Sequence, residues 1–358
     1  MFRYGKTALA AAATAGVLAL SACANHVAGG SSSGSGGGPV AGLPTVTLMV
    51  GGIDKQIYLP YQLAQGLGYY KKYGVNVTLS TETQGGTGAE EAMASGQVDM
   101  AGAWYTHTLD FQQKGKSVED IVNLSGAPGE RIMCAAGTNI TSPAQWKGKT
   151  IGVTDLGSGT DQLTQYLAAR YHLTTKDFHR AGVGDGSTFI SALKQHTIDC
   201  GMTTQPTVAT VEKMGIGHSA FDLATTAGVK KWLGGPVPTA GVLAQTSWVS
   251  AHKPEAQKVV DALVATMHYI HTHSAADIAD HLPASYTSNS TVTKADYIKA
   301  LTQDKGQFLP DGMMPADGPK TAEAIGRVDG SIKGPVSLPP TYTNSFAQAA
   351  NKLEGYSK

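Results

Sequence analysis

Four histidines occur close together near the end of the chain, in the stretch HYIHTHSAADIADH, and imidazole is a common metal ligand. His268 and His271 share one face of a predicted helix, but His273 points elsewhere. No cysteine or carboxylate completes a tetrahedral set with them. We therefore predict that these three residues and His281 are solvated histidines, and that the chain has no metal site.

Catalytic signatures are also missing from the body of the chain. From Pro44 onward there is no G-x-S-x-G, H-E-x-x-H, Walker-type loop or C-x-x-C. We predict no catalytic residues and no cofactor. The 27 basic and 27 acidic residues balance, without a long run of either sign, which argues against a nucleic-acid partner.

The first 23 residues predict export. Arg3 and Lys6 precede an apolar run over residues 7–20, which is too short and too alanine-rich for a membrane span. The motif Leu-Ser-Ala-Cys then ends at Cys23 and is typical of a bacterial lipoprotein. We predict a signal peptide over 1–22 and a lipid anchor on the Cys23 thiol; the alternative is an ordinary secretory peptide with an incidental cysteine.

A glycine- and serine-rich segment follows the cysteine. Residues 28–42, AGGSSSGSGGGPVAG, have nothing to bury and predict a flexible tether within 23–43, with a reach of roughly 20 Å. Such a tether would hold a folded body, starting near Pro44, on the extracytoplasmic side of the cell membrane.

Two strand–turn–helix units position the rest of the chemistry, because one stretch of sequence occurs twice. GTGAEEAMASGQVD (86–99) resembles GSTFISALKQHTID (186–199), one hundred residues later. Gly86 and Gly186 permit a tight turn, and Thr87 and Ser187 suit the N-cap of a helix.

Each copy reads β-α-β-α-β. In the first copy we predict strands at 45–50, 75–80 and from Val98, and in the second at 150–154, 178–183 and from Ile198. Such units pack as doubly wound open sheets, whose ligands lie beyond the carboxyl ends of the strands. Two facing lobes of this kind would each line half of one cleft and close like a jaw.

Three stretches carry a family resemblance: YLPYQLAQGLGYYKKYGVNVTL (58–79), EEAMASGQVDMAGAW (90–104) and, more weakly, ALKQHTIDCGMTTQP (192–206), where His196 replaces a usual glycine. The chain resembles the bacterial ABC-transporter substrate-binding proteins of the sulfonate, taurine and nitrate group, which includes pyrimidine-precursor binders. The resemblance covers most of the chain from Pro44 onward.

The resemblance implies an α/β, two-lobed periplasmic-binding-protein fold of type II, joined by two crossover hinge segments. Lobe one would comprise 44–126 plus 243–358, and lobe two 127–242. The crossings would lie near 127–129 and 236–238, and the helical remainder from Pro254 would brace lobe one. The implied partners are a small-molecule ligand and the permease subunits of an ABC transporter, with a monomeric protein that touches the membrane only through its lipid.

The resemblance also places ligand contacts at strand ends and helix starts. The residues that it implies for the pocket are Gln56, Ile57, Tyr58, Gly86, Thr87, Trp104, Tyr105, Thr106, Ser158, Gly159, Thr160, Asp185, Gly186, Thr204 and Gln205. No Arg or Lys is among them, so an oxoanion would have to be held by N–H groups, hydroxyls and dipoles. Alternatively, Trp104 and Tyr105 would stack on a flat heterocycle while Asp185 accepts its hydrogen bonds.

Cys134 and Cys200 remain as an even pair in an oxidising compartment. In the sheet order of the resembled family their strands can be neighbours, which leaves a disulfide or two buried thiols as alternatives.

Two other functions compete with solute binding. A related fold makes the thiamine pyrimidine in fungi with a cysteine-rich motif and an iron-bound histidine, and nothing similar stands here. A sensory ectodomain would need a membrane helix leading to a further module. We expect a binding protein without enzymatic activity.

Overall fold

Two five-stranded mixed sheets organise the chain in this computed structural model, which describes residues 39–82 and 87–356. The strands, in chain order, are β1 (Thr45–Gly51), β2 (Asn76–Glu82), β3 (Met100–Ala103), β4 (Val118–Val122), β5 (Glu130–Ala135), β6 (Thr150–Val153), β7 (His179–Gly182), β8 (Cys200–Thr204), β9 (Gly217–Asp222) and β10 (Gly241–Gln245). The predicted signal peptide, Cys23 and most of the tether lie outside the described residues.

Helices flank both sheets. They are α1 (Leu59–Gly66), α2 (Tyr69–Lys72), α3 (Thr87–Ala94), α4 (Thr106–Gln113), α5 (Gly159–Ala169), α6 (Gly186–Lys194), α7 (Thr207–Lys213), α8 (Thr226–Trp232), α9 (Thr246–Ala251), α10 (Lys253–Thr272), α11 (Ala275–Asp280), α12 (Ala284–Thr287), α13 (Lys294–Asp304), α14 (Gly318–Asp329) and α15 (Ser345–Leu353). Short 3₁₀ helices occupy Gln56–Tyr58, Pro143–Trp146, Lys305–Gln307 and Pro339–Thr341. No helix in the described ranges is both long and apolar enough to cross a membrane.

The two sheets have the same plan, which confirms the predicted repeat. Their strand orders are β2-β1-β3-β10-β4 and β7-β6-β8-β5-β9. The first three strands of each sheet are parallel and come from the β-α-β-α-β unit of that copy. The fourth strand of each sheet, β10 or β5, runs antiparallel to its neighbours, a feature that the sequence did not predict. We call the first sheet with its helices lobe one and the second lobe two.

The central strands are buried because helices cover both faces of each sheet. Every residue of β3, β5 and β8 is buried, including the polar residues at the start of β5 and at the end of β8. Edge strand β7 of lobe two is partly exposed and correspondingly polar.

Two segments, 123–129 and 233–240, connect the sheets, near the crossings expected from the sequence. Their backbones pair: the Ser125 N–H donates to Thr239 O at 3.1 Å and the Thr239 N–H to Ser125 O at 2.9 Å. The exact lobe boundaries stay a prediction, but this pairing gives the connection the form of a two-stranded hinge.

Cys134 and Cys200 form a disulfide, the first of the two alternatives left open above. The residues are directly opposed in the antiparallel pairing of β5 with β8, and both are fully buried. The bond therefore ties the strand that enters lobe two to the last strand of its β-α-β-α-β unit.

The helical remainder packs more widely than predicted. Helix α10 packs against α1, α2 and α15, as a brace of lobe one should. However, α13 contacts α7 and α14 contacts α5, and both partners belong to lobe two. Arg131 of β5 also pairs with Asp304 at the end of α13, with 2.8 and 2.6 Å hydrogen bonds. The C-terminal helices thus touch both lobes.

The repeated turn before α6 differs in one detail from the prediction. The helix begins at Gly186, whose φ of +52° is one that glycine adopts without strain. Asp185 therefore occupies the N-cap position, and Ser187 lies within the first turn rather than capping it. The corresponding Gly86 lies outside the described residues.

Candidate functional site

Trp104 and Gly159 bring the two lobes into direct contact. Trp104 follows β3 of lobe one and is only 7% exposed, while Gly159 begins α5 of lobe two. A Cβ atom added to Gly159 would come within 2.4 Å of Trp104 Cε3, so the indole lies flush against the helix start. Both were predicted as cleft residues, and the contact requires glycine at this position.

Polar contacts join the lobes on either side of this point. The Lys55 Nζ of lobe one lies 2.5 Å from the Asp185 carboxylate of lobe two. The Gln162 Nε2 of α5 donates to Asp110 Oδ2 of α4 at 2.8 Å. The Gln56 N–H donates across the boundary to Gln205 O at 3.0 Å.

A buried acidic group adjoins the Gln162–Asp110 contact. Glu90 Oε2 of α3 lies 3.3 Å from His107 Nδ1, and Asp110 Oδ2 lies 3.5 Å from the same nitrogen. Burial raises the pKa of Glu90 to about 8, although the nearby His107 opposes the rise. Burial would lower the pKa of His107, but the carboxylates of Glu90 and Asp110 raise it to about 9.

Glu130 provides a second buried carboxylate, on the side of lobe two. It is 5% exposed, and burial raises its pKa to about 8 against the opposing charge of Lys55. Burial raises the pKa of the Tyr58 hydroxyl of lobe one, and the charges of both Glu90 and Glu130 raise it further. Tyr58 and Trp104 also interact through their polar atoms.

Several buried oxygen atoms at this boundary have no hydrogen-bond partner. They are Glu90 Oε1, Asp110 Oδ1, Thr106 Oγ1, Gln162 Oε1 and Glu130 Oε2. Buried polar groups are rarely left unpaired, because each loses its hydration without compensation. Because these atoms come from both lobes, we take this boundary as the candidate site.

A groove of about 510 Å³ opens beside Lys55 and Asp185. Its walls come from the start of α6, the end of β8, α7 and the segment 289–291. Thr204 lines it and is the register partner of Glu130 in the second sheet. The groove therefore reaches the boundary at the Glu130 side.

The predicted hydroxyl contacts of lobe two are largely used inside that lobe. Ser158 caps α5 by accepting from the Asp161 N–H, and Thr160 Oγ1 accepts from the Thr154 N–H at 2.9 Å. Thr204 donates to Gly129 O at 2.8 Å. The Gln205 side chain accepts from the Ala209 N–H at 3.1 Å. These contacts position α5 and the hinge, and they leave few hydroxyl donors for an oxoanion.

On lobe one the predicted residues divide into two groups. Gln56, Tyr58 and Thr106 are buried at the boundary. Tyr105 instead points into a separate apolar cluster of lobe one, where its hydroxyl lies 2.6 Å from Thr341 Oγ1. Its ring packs edge-on against Tyr342, so we leave it out of the site.

Ile57 lies against the hinge residue Gly129, where it would contact an added Cβ atom. Thr87 begins α3, as expected for a residue at the head of that helix. These two placements agree with positions near the cleft, without a contact that assigns either residue to a ligand.

The four histidines of the C-terminal region contact aromatic rings and backbone rather than the groups of this site. His268 stacks on Tyr356, and His273 stacks on Tyr269. His281 meets the edge of the Tyr269 ring, and His271 contacts Phe308 O at 2.9 Å. In the part of the chain that the structure describes, no three His, Cys, Asp or Glu residues are placed to hold a metal ion.

Sequence reasoning missed the residues with the most unusual environments: Lys55, Glu90, His107, Asp110, Glu130 and Gln162. Lys55 corrects the expectation that no lysine is present at the cleft. A signal was available for two of them, since Glu90 lies in the repeated segment and His107 follows Trp104 by three residues.

Comparison with known proteins gives the same architecture. The profile of the NMT1/THI5-like family matches residues 57–277. A solved structure from Bordetella bronchiseptica RB50 superimposes with a TM-score of 0.78 at 28% identity, covering 87% of this chain and 98% of that one. The alkanesulfonate-binding protein SsuA of Xanthomonas axonopodis pv. citri, solved with MOPS, has a TM-score of 0.67 at 16% identity and covers 84% of this chain and 98% of its own. These likenesses confirm the periplasmic-binding-protein fold.

Two curated relatives differ in function. YtlA of Bacillus subtilis (strain 168), named as a candidate binding protein, is 23% identical over 226 residues, which are 62% of this chain and 65% of YtlA. The 4-amino-5-hydroxymethyl-2-methylpyrimidine phosphate synthase THI13 of Saccharomyces cerevisiae is 27% identical over 180 residues, 47% of this chain and 53% of the synthase. The chain thus matches less than two thirds of the length of either relative.

Proposed function

The chain belongs to the NMT1/THI5-like family, and from this premise we propose that it is an extracytoplasmic solute-binding protein of an ABC importer. It captures one small molecule between its lobes and delivers it to the permease subunits. The observation that carries this proposal is the set of unpaired, buried oxygen atoms from α3, α4, α5 and β5 that meet at the lobe boundary.

The contacts across the boundary support a jaw that closes over its ligand. The Trp104–Gly159 contact, the Lys55–Asp185 ion pair and the Gln162–Asp110 hydrogen bond are made only when the lobes meet. The paired hinge segments at Ser125 and Thr239 can absorb the rotation that opens them. We take the arrangement seen here as the closed form.

We infer binding without catalysis. The body of the chain lacks the catalytic signatures and the cysteine-rich motif considered above. The lipid on Cys23, the extracytoplasmic location and the monomeric state belong to the same proposal, with the sensory role as its alternative.

A thermal-shift screen of the protein against sulfonates, nitrate, aromatic acids, pyrimidines and organic amines tests this function. A ligand that binds only the folded chain raises its melting temperature. We expect stabilisation by one chemical class with one site per chain. Turnover of the stabilising compound into a product would instead favour the synthase-like alternative.

Replacing Gly159 by alanine should weaken the binding of the stabilising compound by about tenfold or more. The added methyl group meets the Trp104 ring in the closed form, and such overpacking costs about 1–3 kcal/mol. The melting temperature of the ligand-free protein should change little, because the open form relieves the clash. Titration calorimetry measures the affinity of the natural protein and that of the Gly159→Ala protein for the compound.

Gly306→Ala is the matched control, because a Cβ atom there has open space around it. It should bind as the natural protein does. Unchanged affinity of the Gly159→Ala protein would show that the Trp104 contact is not part of the bound form.

A further inference from the structure

We propose that the molecule held between the lobes is an organic cation, an ammonium or amidinium group on a flat apolar body, rather than an oxoanion. This inference rests on the proposed solute-binding function and specifies the ligand of the same site. Three features of the lobe boundary support it: the unpaired hydrogen-bond acceptors, the aromatic side chains near them, and the pairing of the cationic side chains with carboxylates.

Most of the unpaired atoms at the boundary are hydrogen-bond acceptors, and Gln56 Nε2 and the Thr106 hydroxyl are the two groups among them that can donate. Glu90 Oε1, Asp110 Oδ1 and Gln162 Oε1 accept no hydrogen bond, and all three side chains are largely or fully buried. Gln162 and Asp110 already face each other through the 2.8 Å bond between their other atoms. Their remaining oxygens therefore need a donor from outside the protein, and a group with several N–H bonds supplies it.

Glu130 adds a fourth acceptor from lobe two. Its Oε2 is unpaired, and its charge, like that of Glu90, raises the pKa of the Tyr58 hydroxyl. The aromatic rings of Tyr58 and Trp104 lie at the same boundary, and aromatic faces attract desolvated cations. The walls therefore suit a charged nitrogen attached to a flat ring.

The cations at the boundary are already engaged. Lys55 pairs with Asp185 at 2.5 Å, and His107 lies between Glu90 and Asp110. With Glu90 and Glu130 ionised, the four carboxylates of these groups outnumber their paired cations, Lys55 and His107, and this excess of negative charge is one that a bound cation would neutralise. An oxoanion would be repelled by the ionised carboxylates, and both of these cations are already paired with carboxylates.

The N-terminus of α5, which packs against the Trp104 ring, does not compensate for this excess. Asp161 places a carboxylate in its first turn, where it accepts from the Gly157 N–H at 2.9 Å and pairs with Arg180. A carboxylate of the protein therefore already lies at this helix end, where an anionic ligand would otherwise bind.

Cation binding should release protons near neutral pH. Without a ligand, burial favours the protonated forms of Glu90 and Glu130, whose pKa values are raised to about 8. A bound cation favours their ionised forms, so its affinity should increase as the pH rises toward and through 8. The charged groups that face these two carboxyls are His107, Asp110, Glu82 and Lys114 around Glu90, and Lys55, Asp185 and Arg131 around Glu130.

Three probes of one shape test the proposal: benzamidine, which is cationic, benzamide, which is neutral, and benzoate, which is anionic. Titration calorimetry of the full chain should show one benzamidine site, with at least about tenfold weaker binding of the other two, since charge-assisted hydrogen bonds are the strong ones. The benzamidine dissociation constant should decrease as the pH is raised from about 6 to about 9, and protons should be released on binding.

Glu90→Gln and Glu130→Gln keep the shape of each side chain and should each weaken benzamidine binding by about tenfold, with a clearly smaller effect on the uncharged benzamide. Glu91→Gln, on the exposed side of α3, is the matched control and should have no effect. Two separate glutamate variants keep the test decisive if one of them folds poorly.

Tighter binding of benzoate than of benzamidine, or proton uptake on binding, would overturn the proposal that the ligand is a cation. It would also be overturned if Glu90→Gln and Glu130→Gln both bound benzamidine as tightly as the natural protein does. Binding of an anion at one site per chain would contradict the cationic ligand but would leave the proposed solute-binding function intact. If no compound of the screen or of this set binds, the proposed function fails with it.

Discussion

Replacing Arg131 by alanine should lower the free energy of unfolding by about 3–5 kcal/mol, because it leaves an uncompensated buried charge. Arg131 reaches from β5 to the Asp304 side chain at the end of α13, which is 1% exposed. Two hydrogen bonds of 2.8 and 2.6 Å satisfy both carboxylate oxygens. Chemical denaturation measures the loss directly.

The contrast between two ion pairs makes this prediction specific. Lys294 and Asp280 lie 2.5 Å apart, but both are exposed, so Lys294→Ala should change the stability little. The double variant Arg131→Met/Asp304→Leu should recover most of the stability, because apolar packing replaces the buried pair. A small effect of Arg131→Ala alone would mean that Asp304 is hydrated in solution.

Removing the disulfide by Cys134→Ala/Cys200→Ala should lower the free energy of unfolding by about 2–5 kcal/mol. The bond closes a chain separation of 66 residues, which gives about 4 kcal/mol if it acts by restricting the unfolded chain. The disulfide joins β5 to β8, so we expect its removal to destabilise lobe two. Thermal or denaturant unfolding with and without a reductant measures it.

The ligand affinity of the folded double variant should stay near that of the natural protein, because both cysteines lie within the second sheet and away from the boundary groups. A reductant should lower the stability of the natural protein to that of the variant and leave the variant unchanged. An unchanged unfolding curve of the natural protein under complete reduction would contradict the structural role of the bond.

The repeat was the strongest signal in the sequence, and it predicted the three parallel strands of each lobe. Residues 86–99 and 186–199 encode the same local unit, so glycine, small residues and apolar stripes in each copy were sufficient. The antiparallel strands β5 and β10 carry no such signal. Each becomes the fourth strand of its sheet only through long-range pairing, after the chain has crossed between lobes.

The candidate site was only partly predictable, because it depends on side-chain direction and on contacts between lobes. Trp104 and Tyr105 are adjacent in sequence, yet one faces lobe two and the other an apolar cluster of lobe one. Ser158 and Thr160 satisfy each other and the α5 terminus. Glu90 looked like an ordinary helix residue until folding buried it beside His107.

Small-angle X-ray scattering of the full chain, with and without the compound that most raises its melting temperature, tests the central claim that one small molecule is captured by closure of the two lobes. If the lobes close over the ligand, the radius of gyration should be smaller at saturation, and the scattering profile of the ligand-bound protein should match the structure described here. Gly159→Ala should show less compaction at the same ligand concentration. An unchanged radius of gyration with the site saturated would show that the lobes do not close over the ligand.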